Sequence, residues 1–272
     1  MAAVPVLVGS ALAGAEGVPI AWITFFVTLL CALSIQIGTN LFNDVGDAVR
    51  GNDGPDRIGP QRATAAGLAT PLQVRRAAIS SFAVALLLGG YLVRVGGWPI
   101  LALGLASLAA GWAYSGGPRP LSYTAWGEVA VVVFFGVAAV AGSHYLQSGH
   151  FTASALLAGL VVGSPAAAVL LVNNVRDLDA DARVGRATLA ALLGSHKARW
   201  LYLMLMLLPF LLLPAIGHSA VVWTTLPVLL PFLWLSWRFL RPLGGERLNA
   251  QLAHTAQAQL VLGLLMGIGL LW

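Results

Sequence analysis

Two stretches of this sequence gather side chains able to hold a divalent metal and a phosphate. In the first, Gln36, Asn40, Asn43 and Asp47 step by four, three and four residues, so a helix would carry them as one stripe. Asp44 lies four residues from Asn40 and three from Asp47. In the second, Asn174, Asp177 and Asp181 stand at i, i+3 and i+7, with Asp179 directed elsewhere and Arg176, Arg183 and Arg186 around them. Hard oxygen ligands of this kind suit Mg2+, which keeps much of its water and commonly bridges one or two carboxylates to a substrate phosphate.

Clustered carboxylates repel one another unless cations neutralise them. Metal held by them can clamp a diphosphate and stabilise its charge as it departs. An allylic diphosphate leaves a carbocation, and an apolar interior keeps water from it. Tyr114 has two readings: an interfacial anchor, or a cavity residue whose π-face supports that cation.

The elements that must position these groups are membrane spans. Of the 272 residues 58% are hydrophobic and only 9% charged, with mean hydropathy +0.84, whereas soluble domains carry about 25% charged residues. Segments of roughly 20 apolar residues match a bilayer core. They fall at about 1–15, 20–43, 75–95, 98–116, 127–147, 152–173, 198–217, 219–239 and 254–272, so the expected fold is a single all-α bundle of about nine transmembrane helices over 1–272. No basic region precedes the first apolar run, so no signal peptide is expected.

The net charge of +5 does not point to nucleic acid. Fourteen of 15 Lys and Arg lie in or beside the loops after the second, fourth, sixth and eighth spans, Arg94 being the exception. The positive-inside rule then places those loops and the N-terminus in the cytoplasm and the C-terminus outside. Nine of the ten acids share that face, all but Glu16. The single Cys31 excludes an internal disulfide and reads as a small core residue.

Between the first cluster and the third span runs a loop rich in turn formers, which includes Asp53, Arg57 and Arg62. Gly51 and Gly54-Pro55 should end the preceding helix. Thr70-Pro71 reads as an N-cap with Pro at the first helical position. Loops beyond about 12–15 residues are usually functional or disordered, and this one has the charges to close over a phosphate. His196 reads as a solvated loop residue. His254 and Gln257 read equally as cavity residues or as packing hydrogen bonds, and His144, His150 and His218 show no metal spacing.

The stretches Gln36-Ile-Gly-Thr-Asn-Leu-Phe-Asn-Asp-Val-Gly-Asp47, Pro55-Asp-Arg-Ile-Gly-Pro-Gln-Arg62, Tyr114-Ser-Gly-Gly-Pro-Arg-Pro-Leu121, Gly127-Glu-Val129 and Asn173-Asn-Val-Arg-Asp-Leu178 resemble the UbiA superfamily of membrane prenyltransferases. They look most like its bacterial 1,4-dihydroxy-2-naphthoate polyprenyltransferase group, and the similarity covers nearly the whole chain. The Pro-Asp-Arg-Ile-Gly-Pro loop is the most subgroup-specific piece; the Asp motifs alone support only the superfamily. The resemblance implies a multi-pass protein of the bacterial cytoplasmic membrane, acting in menaquinone biosynthesis. It implies Mg2+ held by Asn43, Asp47, Asp53, Asn174, Asp177 and Asp181, with Asp44 adjacent. Asp44, Asp47, Asp177, Asp181 and Tyr114 would serve catalysis, and Asn40, Asn43, Arg57, Arg119, Asn174, Arg176 and Lys197 would contact substrate.

The implied reaction joins a polyprenyl diphosphate to 1,4-dihydroxy-2-naphthoate, with loss of CO2 and diphosphate, giving demethylmenaquinol. Relatives usually begin with an Arg-Pro-x-Thr-like segment ahead of the first span, which does not stand here, and Ala182 stands where they often have Arg. Two alternatives stay open: another aromatic acceptor such as 4-hydroxybenzoate or homogentisate, and a cation-coupled transporter. A transporter would place its acids near the midplane on broken helices within inverted repeats, and no repeat is visible.

Overall fold

The computed structural model describes residues 1–51 and 58–272. It is all-helical, with no strand among the described residues. Among the described residues a short apolar helix, α1 (Ala3–Ala15), precedes seven helices long and apolar enough to cross a membrane. These are α2 (Trp22–Val49), α3 (Pro71–Ser115), α4 (Gly127–Ser148), α5 (Ala153–Arg176), α7 (Leu189–Ile216), α8 (Ser219–Leu240) and α9 (Gly245–Leu270), with the short α6 (Leu178–Arg183) between α5 and α7.

Local chemistry sets the boundaries that position the site. Helix α2 continues past the apolar run to Val49 and therefore carries Asp44 and Asp47. Gly51, at φ 76°, follows its end in a conformation that side-chain-bearing residues rarely adopt. Helix α3 opens as expected: the Thr70 hydroxyl accepts from the Gln73 amide, the Gln73 side chain accepts from the Thr70 amide, and Pro71 occupies the first turn. At Gly97 the backbone of α3 leaves helical geometry (φ 66°, ψ −154°), so residues on either side of the break follow different axes.

The core gathers around α5. Val161, Leu171 and Val172 are fully buried against Tyr202, Phe232, Phe239, Leu262 and Met266 from α7, α8 and α9. Where α4 crosses α5, a Cβ on Gly136 would run into the Gly159 carbonyl oxygen and stand 2.7 Å from the Gly163 Cα, so only glycines permit this approach. The same part of α4, Val132–Ala138, is wound as a π-helix, a feature frequent at functional sites. Polar ties are few. Gln251 donates to the Tyr202 hydroxyl and the Leu235 carbonyl, Tyr202 hydrogen-bonds Thr255, and His144 of α4 hydrogen-bonds Glu16 beyond α1.

The α2–α3 hairpin is different: its helices pack chiefly on each other, and the main apolar core takes no residue from either. Exposed tryptophans ring both ends of the molecule, with Trp22, Trp98, Trp223 and Trp272 at one and Trp112, Trp126, Trp200, Trp234 and Trp237 at the other.

Candidate active site

Between the hairpin and the bundle lies a cavity of about 650 Å3 whose polar groups collect at one end. Helix α2 contributes Gln36, Asn40, Asn43 and Asp47 to its lining, so the expected stripe faces one space. Tyr114 also lines it. Phe134 and Phe135, adjacent in sequence, both reach the cavity from the π-helical part of α4.

The second cluster departs from the single helical face that its spacing suggests. Helix α5 ends at Arg176, Asp177 adopts φ −97° and ψ 10°, and α6 starts at Leu178. The chain therefore turns between Asn174 and Asp181. Asn173, Asp177 and Asp181 line the cavity, and Asp179, expected to point elsewhere, also reaches it. Asn174 turns away: it is buried, and its Nδ2 donates to Glu128 Oε1 at 2.9 Å.

Three of the lining carboxylates meet an arginine. Asp47 pairs with Arg62 at 2.7 Å, Asp177 with Arg176 at 2.7 Å and Asp181 with Arg186 at 3.1 Å. Arg176, itself buried, also donates to Asn173 Oδ1 at 2.8 Å and Asn249 Oδ1 at 2.9 Å. Asn249 in turn donates to the Ile58 carbonyl, so α9, α5 and the loop after α2 are joined around one guanidinium. Burial pushes the Asp181 carboxyl up to about 6; Arg186 opposes this, while the charges of Asp177 and Asp47 add to it. The two clusters thus act on each other electrostatically. The Oδ2 atom of Asp181 is buried without a hydrogen-bond partner among the described residues.

Other expected residues take supporting or distant positions. Asp44 accepts from the Ala63 amide at 3.1 Å and from the Thr64 hydroxyl, so it holds the returning loop rather than facing the cavity. Asn43 Nδ2 donates to Ser115 Oγ at 2.9 Å, linking α2 to the end of α3. Arg119 and Lys197 are exposed and off the cavity lining, as are His196, His254 and Gln257. Asp53 and Arg57 lie outside the described residues. Among the described residues no three His, Cys, Asp or Glu side chains converge into a metal-binding group.

Sequence reasoning passed over Asn173, Arg62 and Arg186 as site residues. Asn173 and Asp177 stand at i and i+4, a helical neighbour relation as good as the one chosen, and Asn173 Nδ2 does lie 3.3 Å from Asp177 Oδ2.

An all-helical, membrane-crossing scaffold with carboxylates and arginines at one end of a long apolar cavity is the class that these features define. Residues 2–257 match the UbiA prenyltransferase family, and the chain belongs to it. It is 39% identical over 181 residues to the 1,4-dihydroxy-2-naphthoate octaprenyltransferase of Mycobacterium tuberculosis, covering 66% of this chain and 62% of that protein. With the Escherichia coli protein of the same name it is 38% identical over 200 residues, covering 71% and 65% respectively. With the Haemophilus influenzae protein of that name it is 30% identical over 261 residues, 90% of this chain and 84% of the relative. The chain thus spans less than two thirds of the length of the first two.

Among solved structures, the apo UbiA homologue from Aeropyrum pernix K1 superposes with a TM-score of 0.73 at 14% identity, covering 98% of this chain and 96% of that one. A UbiA homologue from Archaeoglobus fulgidus bound to DMAPP and Mg2+ superposes at 0.68 and 15%, covering 99% and 96%. At such identities the likeness establishes the fold.

Proposed function

We propose that this protein transfers a polyprenyl group from polyprenyl diphosphate to 1,4-dihydroxy-2-naphthoate, releasing diphosphate and CO2 to give demethylmenaquinol. The observation that carries this reading is one cavity with Asp47, Asp177 and Asp181 at a charged end and an apolar remainder. The names of the similar octaprenyltransferases support the acceptor, and the DMAPP and Mg2+ held by the archaeal homologue support the donor and metal.

The donor set fits Mg2+. Asp181 Oδ2 is a buried oxygen without a hydrogen-bond partner among the described residues, and Asn43 and Asp47 from α2 and Asp177 from the opposite wall add oxygens facing the same cavity. Asp53 would complete the first motif. When bound, Mg2+ supplies positive charge that stabilises the departing diphosphate. Arg62, Arg183 and Arg186 line the charged end and bind its oxygens. The allylic C–O bond breaks with its electron pair leaving on diphosphate, and the π-faces of Tyr114 and Phe134 support the cation. Apolar walls, including Val6, Val169 and Leu170, exclude water. The ring carbon bearing the carboxylate attacks, and the electron pair of the ring–carboxylate bond restores aromaticity as CO2 departs.

For topology, α1 and the two arms of α3 on either side of Gly97 complete nine spans with the other six long helices. The basic loops face the cytoplasm, with the N-terminus inside, the C-terminus outside and the protein in the bacterial cytoplasmic membrane. Purified protein given labelled donor, Mg2+ and each acceptor separately should yield the decarboxylated prenyl naphthol by mass spectrometry. Transfer to 4-hydroxybenzoate or homogentisate with none to the naphthoate would overturn the acceptor assignment.

A further inference from the structure

The segment from Ser115 to Tyr123, at the end of α3 and in the turn beyond it, carries no carboxylate and does not line the cavity. It nonetheless touches both halves of the charged end. From the α2 side, Asn43 donates to Ser115 Oγ at 2.9 Å. Arg50, which caps α2, donates from Nη1 to the Ser115 carbonyl at 2.9 Å and from Nη2 to the Gly117 carbonyl at 3.2 Å. Gly46 makes room for this, since a Cβ there would stand 3.0 Å from Arg50 Nη1 and 3.3 Å from the Ser115 carbonyl oxygen.

From the side of the second motif, Arg186 donates from Nε and Nη2 to the Ser122 carbonyl at 3.3 and 2.9 Å, and the Ala187 amide donates to the Tyr123 carbonyl at 3.0 Å. Tyr123 closes the arrangement. It ends a single 3-10 turn, Leu121–Tyr123, and its ring meets both guanidiniums: Arg186 Cζ lies 4.9 Å from the ring centroid and Arg50 Cζ 5.3 Å. Two cations that repel each other thus share one electron-rich ring. A guanidinium is rigid and planar, so with Nε and Nη2 held by Ser122 and its carbon against Tyr123, the edge bearing Nη1 is turned to Asp181 Oδ1, 3.1 Å away, at the cavity.

We infer that Tyr123 is a positioning residue for prenyl transfer: its ring aims Arg186 at the place of the leaving diphosphate and, through Arg50, keeps the first motif in register with the second. It acts through these two arginines. The inference rests on the prenyl-transfer reading, in which Arg186 binds diphosphate oxygens.

The test uses full-length protein purified in detergent. Each variant is measured for binding of inorganic pyrophosphate with Mg2+ by titration calorimetry, and for kcat and KM with geranyl diphosphate and the naphthoate. Tyr123→Leu should weaken pyrophosphate binding and lower kcat/KM for geranyl diphosphate about tenfold, the size expected when a ring releases one or two cations, with KM for the naphthoate little changed. Tyr123→Phe, which keeps the ring, should restore both. In an Arg186→Met background Tyr123→Leu should cost only about threefold, because the main partner is already gone. Phenylalanines with increasing ring fluorination, placed at position 123 by nonsense suppression, keep the shape while draining the π-face, and pyrophosphate affinity should fall stepwise with them; this series holds even where Tyr123→Leu does not fold. Affinity indifferent to fluorination, no recovery in Tyr123→Phe, or independent effects of Tyr123→Leu and Arg186→Met would each overturn the inference. Wild-type protein that binds no pyrophosphate and transfers no prenyl group would instead overturn the proposed function.

Discussion

The two halves of the candidate site rest on very different supports. The first motif rides on α2, whose most apolar stretch is 11% buried within the protein, and the same stretch of α3, its partner, is only 17% buried. The second motif leaves the end of α5, whose most apolar stretch is 78% buried and which forms the centre of the core. The bundle holds the second half in place through close glycine crossings and a guanidinium network, whereas the hairpin is held to the bundle by fewer contacts and by loop ties at its charged end. A cavity between a well-packed and a loosely packed wall is where the proposed polyprenyl donor would be admitted without unfolding the core.

Removing a carboxylate tests whether the two halves are equal chemically although unequal mechanically. Asp47→Ala and Asp177→Ala should each cut transfer at least about 100-fold at saturating Mg2+, as does the loss of a group that stabilises departing charge. Circular dichroism of both variants should match wild type; wild-type turnover in either would remove it from the site.

The mechanical contrast is sharpened by glycines. Gly163→Val, where the Gly136 Cα would lie 3.0 Å from the new Cβ, should destabilise the protein by about 1–3 kcal/mol. Gly89→Ala on the hairpin, where a Cβ meets nothing within 4 Å, should leave thermal unfolding in detergent unchanged or slightly improved. Equal losses would show that the hairpin is packed as tightly as the bundle.

Neighbouring asparagines separate support from contact. Asn174→Ala strips Glu128 of its partner and should cost about 1–3 kcal/mol of stability. Asn173→Ala should lower kcat/KM with a smaller change in unfolding midpoint. The reverse pattern would exchange their roles.

The smallest effect is a pH dependence. Asp181, raised to about 6, binds its proton more tightly folded than unfolded. Metal-free protein should therefore lose stability as pH rises from about 4 through 6. Mg2+ binding should strengthen over the same rise, since the metal competes with that proton. Asp181→Asn should flatten both curves in thermal and calorimetric titrations.

Composition and periodicity were enough to determine the helical membrane class, the continuation of α2 as one stripe from Gln36 to Asp47, and the helix start at Thr70-Pro71. These depend on neighbours within a few residues or on bulk apolarity, which are properties of the chain itself. The motif stretches likewise carried the family. Tertiary structure alone decided that Asn173 rather than Asn174 faces the cavity, because buried Glu128 captures Asn174. It also decided that Asp44 holds a loop, that Arg62 and Arg186 meet the carboxylates, and that Leu92 meets Leu146 across a kink. Each depends on which partner the folded chain brings near, from Arg186 just beyond the end of α6 to Glu128 on another helix, a choice that packing makes and helical spacing does not encode.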